Sequence, residues 1–188
     1  MMLILSALLL SAQLPCATQS NELDASFVKT LTKGDVVSLL EILVELSSEV
    51  PDDAPPIFDI AQFQTLDASS KATLIPKLKK HSFTLDSFTE SLTALFSAYF
   101  TAFPSELDAL LPTLNHPAVV KWCKKPGRPK QDIKALRKKI RELQDNKGFM
   151  LAQLELTNSA ANQSLVTEHH KTIQKVLMQL KRTFEDRK

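Results

Sequence analysis

The chain has 188 residues, a formal net charge of +2 and only three glycines. Its composition favours helices and lacks runs of alternating β-branched residues, which predicts an all-α protein. Two cysteines, Cys16 and Cys123, are too few for a small fold held together by several disulfides.

The small net charge conceals a strong polarity along the chain. Residues 21–60 contain two lysines against nine acidic residues, a net charge of −7, and residues 61–120 carry a net charge of −1. Residues 121–188 contain seventeen lysines and arginines against seven acidic residues, a net charge of +10. This asymmetry indicates either an acidic partner for the C-terminal part or attraction between the two ends of the chain.

The first twenty residues have the layout of a signal peptide. An apolar run, Met1 to Leu10, has Ser6 as its single polar residue. It is too short to cross a bilayer and is followed by small and polar residues up to Ser20. No Lys or Arg precedes the run, and Cys16 also permits a lipoprotein interpretation. We expect residues 1–20 to be a leader and the protein to be periplasmic or secreted. The alternative is a buried N-terminal helix of a cytosolic protein.

Residues 21–123 are predicted to form a compact helical bundle. A first helix is expected over Leu23 to Thr32, ended by Gly34, and Asp35 is expected to be the N-cap of the next helix. That second helix is apolar nearly all round, so it has to be buried on more than one side. A later helix over residues 69–80 contains Pro76, which is expected to break or kink it.

The clearest amphipathic helix of this bundle follows Thr84, which is expected to cap it. Apolar residues recur at three- and four-residue spacing and form one stripe, whereas Ser91 and Ser97 are expected to face away from it. A stripe of this kind is typical of a helix core; the alternative is the wall of a small-ligand pocket. The stripe residues are Leu85, Phe88, Leu92, Leu95, Phe96, Tyr99 and Phe103.

Residues 124–130 are a basic linker that contains proline and glycine. Their sequence, Lys-Lys-Pro-Gly-Arg-Pro-Lys, resembles the AT-hook, with Pro126 in the place of an arginine of that motif. The resemblance implies that Arg128 would enter the minor groove of A·T-rich DNA. Lys124, Lys125 and Lys130 would then contact phosphates. DNA binding through this segment and the adjacent basic helix is therefore one alternative function.

Residues 131–188 are predicted to form a coiled-coil-like helical hairpin, whose two helices are joined by a polar loop near residues 158–164. The alternative is a single long helix that self-associates. The predicted seam consists of Ile133, Leu136, Ile140, Leu143, Met150, Leu154, Ile173, Val176 and Leu180.

The cations of the linker and the following helix are also suited to an anionic envelope surface or an acidic protein partner. The residues predicted to bind an anionic partner are Lys124, Lys125, Arg128, Lys130, Lys134, Arg137, Lys138 and Arg141.

No catalytic, metal or cofactor site is predicted. The sequence has no glycine-rich phosphate loop or nucleophile elbow. The adjacent His169 and His170 diverge on a helix by about 100°, which disfavours a shared metal. Asn162 begins a possible glycosylation sequence. We therefore expect an exported, non-enzymatic protein that acts through a protein partner or an anionic surface, with nucleic acid as an unlikely partner.

Overall fold

The computed structural model describes residues 29–49, 68–110, 138, 141, 145, 147–156 and 158–185. All regular structure within these ranges is helical, so the all-α prediction is confirmed. In the same ranges no helix is long and apolar enough to span a membrane. The helices are α1 (Lys33–Glu49), α2 (Ala68–Lys80), α3 (Leu85–Ala102), α4 (Pro104–Leu110), α5 (Lys147–Leu156), α6 (Ala160–Glu168) and α7 (His170–Glu185).

A reciprocal pair of hydrogen bonds fixes the start of α1. The Asp35 backbone N–H donates to Thr32 Oγ1 at 3.1 Å, and the Thr32 backbone N–H donates to Asp35 Oδ2 at 2.8 Å. Thr32 is therefore the N-cap, and the prediction of Asp35 in that role is wrong. Residues 29–32 are not helical and Gly34 lies inside α1, so the predicted ending of a first helix there is also wrong.

Helix α2 continues through Pro76, so the predicted break is wrong, and a kink at this residue stays a prediction. A proline removes the hydrogen bond to the carbonyl four residues earlier, here that of Ala72. Ala72 and Pro76 are both exposed, so water can solvate the unpaired carbonyl. The helix ends at Lys80. In the turn that follows, Ser82 has a φ of 61°, in the left-handed region, and the Phe83 N–H donates back to the Leu78 carbonyl at 2.8 Å.

Helix α3 begins as predicted, because Thr84 and Ser87 form a capping box. Its apolar stripe is buried, with the half-buried Leu85 and Phe103 at the two ends. Ser91 and Ser97 are buried too, which contradicts the expectation that they face away. The reason is that α3 contacts α1, α2, α4, α5 and α6, so nearly its whole circumference is covered.

One hydrophobic core joins helices from both halves of the chain. Helices α5 and α6 pack on α3, and α7 packs on α1. Leu39 of α1, Phe96 of α3 and Ile173 of α7 are all fully buried in the same cluster. The division into a bundle at 21–123, a linker and a hairpin at 131–188 stays a prediction, as does the leader at residues 1–20.

The buried side chain of Asn162 ties α6 to the segment that leads into α1. Its Oδ1 accepts a hydrogen bond from the Leu31 N–H at 2.9 Å, and its Nδ2 donates to the Lys29 carbonyl at 2.9 Å. Asn162 itself is fully buried. Glycosylation would need the same Nδ2 atom at an exposed site, so the fold disfavours this residue as an acceptor.

We expect Asn162→Ala to lower the free energy of unfolding by about 3 kcal/mol, because it leaves the Leu31 N–H and the Lys29 carbonyl without their partner. Ser164, which is exposed on the same helix, provides a matched control. Its alanine variant should change stability by less than about 0.5 kcal/mol in urea unfolding. Equal stability of the two variants would contradict a stabilising role for the Asn162 amide.

Candidate functional site

Helix α7 is strongly amphipathic. Its apolar residues recur at spacings of three, one and three, which places them on one face of a helix. These residues are buried against α1 and the rest of the core. They are Ile173, Val176, Leu177 and Leu180.

The opposite face of α7 carries a row of cations. Lys171, Lys175, Met178 and Arg182 follow one another at spacings of four, three and four, so they share a narrow strip about 180° from the buried face. All four are exposed, and Met178 exposes 39% of its surface. Within the described part of the chain, no ion pair engages the three cations. We call these four residues the α7 row.

Side-chain contacts with α4 fix the first turns of α7. Gln174 Nε2 donates to Glu106 Oε1 at 2.6 Å. The His170 ring stacks on Phe103 with 3.9 Å between ring centroids and an interplanar angle of 10°. His170 Nε2 lies 3.7 Å from the same Glu106 oxygen, which is longer than a hydrogen bond. These contacts hold the rotation of α7 and therefore the direction of its outer row.

Tyr99 packs next to the stacked rings of this junction. Its ring centroid lies 5.3 Å from that of Phe103 and 5.8 Å from that of His170, and the residue is fully buried. Its hydroxyl has no hydrogen-bond partner within the described structure. Burial raises the pKa of the Tyr99 hydroxyl far above its ordinary value, and the negative charge of Glu106 adds to this effect.

An exposed ion pair joins α6 to the start of α1. Lys33 Nζ donates to Glu168 Oε1, and this hydrogen bond holds the pKa of the Glu168 carboxyl below its usual value. His169, the next residue, has its Nε2 atom 4.0 Å from the same oxygen. His169 and His170 thus lie near different carboxylates, those of Glu168 and Glu106.

A second polar cluster fastens α2 to α1. His81 Nδ1 lies 3.5 Å from Glu41 Oε2, and its Nε2 lies 3.8 Å from Glu45 Oε1. Lys80 donates to Glu45, which lowers the pKa of that carboxyl and raises the pKa of Lys80. The two carboxylates lie beside different ring nitrogens and do not converge on a point. In the ranges that the structure describes, no group of three or more His, Cys, Asp or Glu residues is arranged to hold a metal ion.

Two of the eight cations predicted to bind an anionic partner lie in the described structure. Lys138 and Arg141 are helical and exposed, one turn apart. Their role in binding stays a prediction. The other six lie outside the described residues: Lys124, Lys125, Arg128, Lys130, Lys134 and Arg137.

The predicted seam is only partly described. Leu154, Ile173, Val176 and Leu180 are buried in the common core. Met150 lies on α5, although its side chain is outside the described residues. Ile133, Leu136, Ile140 and Leu143 also lie outside them. The pairing of these residues as a coiled coil stays a prediction.

The α7 row was not among the binding residues predicted from the sequence. The prediction followed the density of basic residues, which is highest between Lys124 and Arg141. The row can be recognised from its helical spacing, because Lys171, Lys175 and Arg182 lie on one strip of the helix that carries the predicted seam.

No protein family model matches the chain, and neither a curated protein nor a solved structure matches it. The function therefore has to be argued from the residues themselves.

Tyr99→Phe should raise the free energy of unfolding at neutral pH by about 1 kcal/mol, because it removes a buried hydroxyl that has no partner. The raised pKa means that the folded chain retains this proton where the unfolded chain loses it. Stability of the native chain should therefore fall as the pH rises above about 10, and the variant should lack this loss.

Tyr99 is the single tyrosine in the sequence, so phenolate absorbance reports its ionisation directly. The absorbance should rise only together with alkaline unfolding. Ionisation at the ordinary pH of a tyrosine, with far-ultraviolet circular dichroism unchanged, would contradict the burial of this hydroxyl.

Proposed function

We propose that the protein is an exported, non-enzymatic helical scaffold that docks through its basic C-terminal region on an anionic envelope surface or an acidic protein partner. The observation that carries the proposal is the direction of the charges. In the basic region, apolar residues such as Ile173 are buried in the core, whereas Lys138, Arg141 and the cations of the α7 row are exposed.

Electrostatic attraction is the physical basis of the proposed docking. Residues 121–188 carry a net charge of +10, and a charge of one sign concentrated on one part of a surface attracts anionic partners over about a Debye length, roughly 10 Å at 0.1 M salt. The apolar run over Met1 to Leu10 supports export, which would bring this surface to a periplasmic or extracellular partner.

The aromatic stripe of α3 favours a scaffold over a small-ligand carrier. The Phe96 and Phe100 rings stack with 6.0 Å between centroids, and Phe83 and Phe88 make an edge contact at 6.1 Å. Such ring pairs stabilise a helical core through dispersion and quadrupole contacts. The rings that were candidates to line a pocket are thus engaged with one another.

Replacement of Lys134, Arg137, Lys138 and Arg141 by Gln should abolish most binding to anionic vesicles and leave helicity nearly intact. Four lost cations correspond to about 4 kcal/mol of attraction to an anionic bilayer. Co-sedimentation with vesicles measures the binding, and circular dichroism measures the helicity. The variant K134R/R137K/K138R/R141K, which changes the same four positions and preserves the charge, is the matched control. Undiminished binding of the Gln variant would count against this part of the surface.

A further inference from the structure

We propose that the α7 row is a lipid-facing surface that lies flat on a bilayer with anionic headgroups. Its three cations contact phosphates, and Met178 enters the boundary between headgroups and acyl chains. The inference rests on the proposed docking function and names the partner, an anionic phospholipid surface, and a second contact element beyond Lys138 and Arg141.

The α7 row is long and points away from the core. From Lys171 to Arg182 the row extends over about 16 Å of helix axis, at 1.5 Å per residue. The face opposite the row is buried in the core, so the row is the side of α7 that points outward. A flat, charged surface can therefore contact all four side chains together without any change in the fold.

The charge along the α7 row has one sign. Between Lys171 and Arg182 the sequence contains no Asp or Glu, and Glu185 ends the helix three residues after Arg182. The residues exposed beside the row, Thr172 and Gln179, are uncharged. Over the length of the row the charge has one sign, which suits a headgroup layer in which every position is equivalent.

Met178 is an exposed apolar side chain within the row of cations. It is one of three large hydrophobic residues exposed in the described structure, and cations flank it along the row at Lys175 and Arg182. Interfacial helices combine such cations with apolar side chains that enter the headgroup boundary. The methionine side chain is flexible and adapts to irregular apolar surroundings. A duplex of nucleic acid offers phosphates to the cations but no apolar layer to this side chain.

Contacts within the fold keep the row rigid. Gln174, which lies between Lys171 and Lys175 in the sequence, donates to Glu106 of α4, and His170 stacks on Phe103. The row is therefore ordered before it meets a partner, which avoids the entropy cost of ordering a helix on binding.

The experiment compares vesicle binding of the purified full chain with that of variants. The probes are vesicles of phosphatidylcholine alone and vesicles that contain phosphatidylglycerol in addition. Each basic residue near an anionic bilayer strengthens binding about fivefold. The variant K171Q/K175Q/R182Q should thus bind anionic vesicles about a hundredfold more weakly, and K171R/K175R/R182K should bind like the native chain.

Met178 has its own matched pair of variants. Met178→Gln should weaken binding about fivefold, because it removes roughly 40 Å² of apolar contact. Met178→Leu should bind like the native chain. The phosphatidylcholine vesicles measure any binding by the apolar run at the N-terminus, which has no preference for anionic lipid. Circular dichroism should show the same helicity for all variants, since the four side chains are exposed.

The outcomes separate this inference from the proposed function. If K171Q/K175Q/R182Q binds anionic vesicles like the native chain while the Gln variant at residues 134–141 does not, the α7 row is overturned and the proposed docking stands. If the native chain binds both kinds of vesicle equally, the lipid-facing row and docking on an anionic envelope surface are both overturned, and an acidic protein is left as the proposed partner. Tighter binding to duplex DNA than to anionic vesicles at the same salt would replace the lipid by nucleic acid.

Discussion

The amide of Asn162 is the interaction on which the arrangement of the described helices depends. The amide is fully buried and forms hydrogen bonds with the backbone of Lys29 and Leu31. Leu31 lies 131 residues before Asn162 in the sequence. A buried amide is costly unless its donor and acceptor are both satisfied, so these two bonds select one docking of α6 against the entry to α1. Dispersion and burial then stabilise that docking, but apolar contacts alone permit several alignments.

The position of α6 in turn determines where α7 lies. A single residue separates α7 from the end of α6, and α7 packs on α1. Its rotation about the helix axis is fixed by the contact of His170 with Phe103 and of Gln174 with Glu106. The outward direction of the cations therefore follows from the hydrogen bonds of Asn162 and from the stacking of His170 on Phe103.

The sequence predicted the parts of this structure that are local. The all-α class, the cap at Thr84 and the buried stripe of α3 follow from composition and from three- and four-residue spacing. The non-helical residues 29–32 were missed because a bond from the distant Asn162 sets their conformation. The periodicity of Ile173, Val176 and Leu180 indicated a buried face correctly but carried no information on which helix covers it. The exposure of Lys138 and Arg141 was predictable from their charge, whereas the shared outward direction of Lys171, Lys175 and Arg182 depends on the packing of α7 against α1.

The described contacts of α1 bear on one explanation of the charge polarity, attraction between the acidic and basic parts. If attraction between the acidic and basic parts neutralised the chain, the acids of α1 would face the cations of α7, which packs against it. Instead Glu41 and Glu45 lie beside His81 and Lys80 at the end of α2. One described ion pair between the two parts, Lys33 with Glu168, has the opposite polarity, with the cation from the acidic part. The described acids of α1 are thus engaged elsewhere, and the positive charge of α7 stays directed toward solvent and toward any partner that approaches from it.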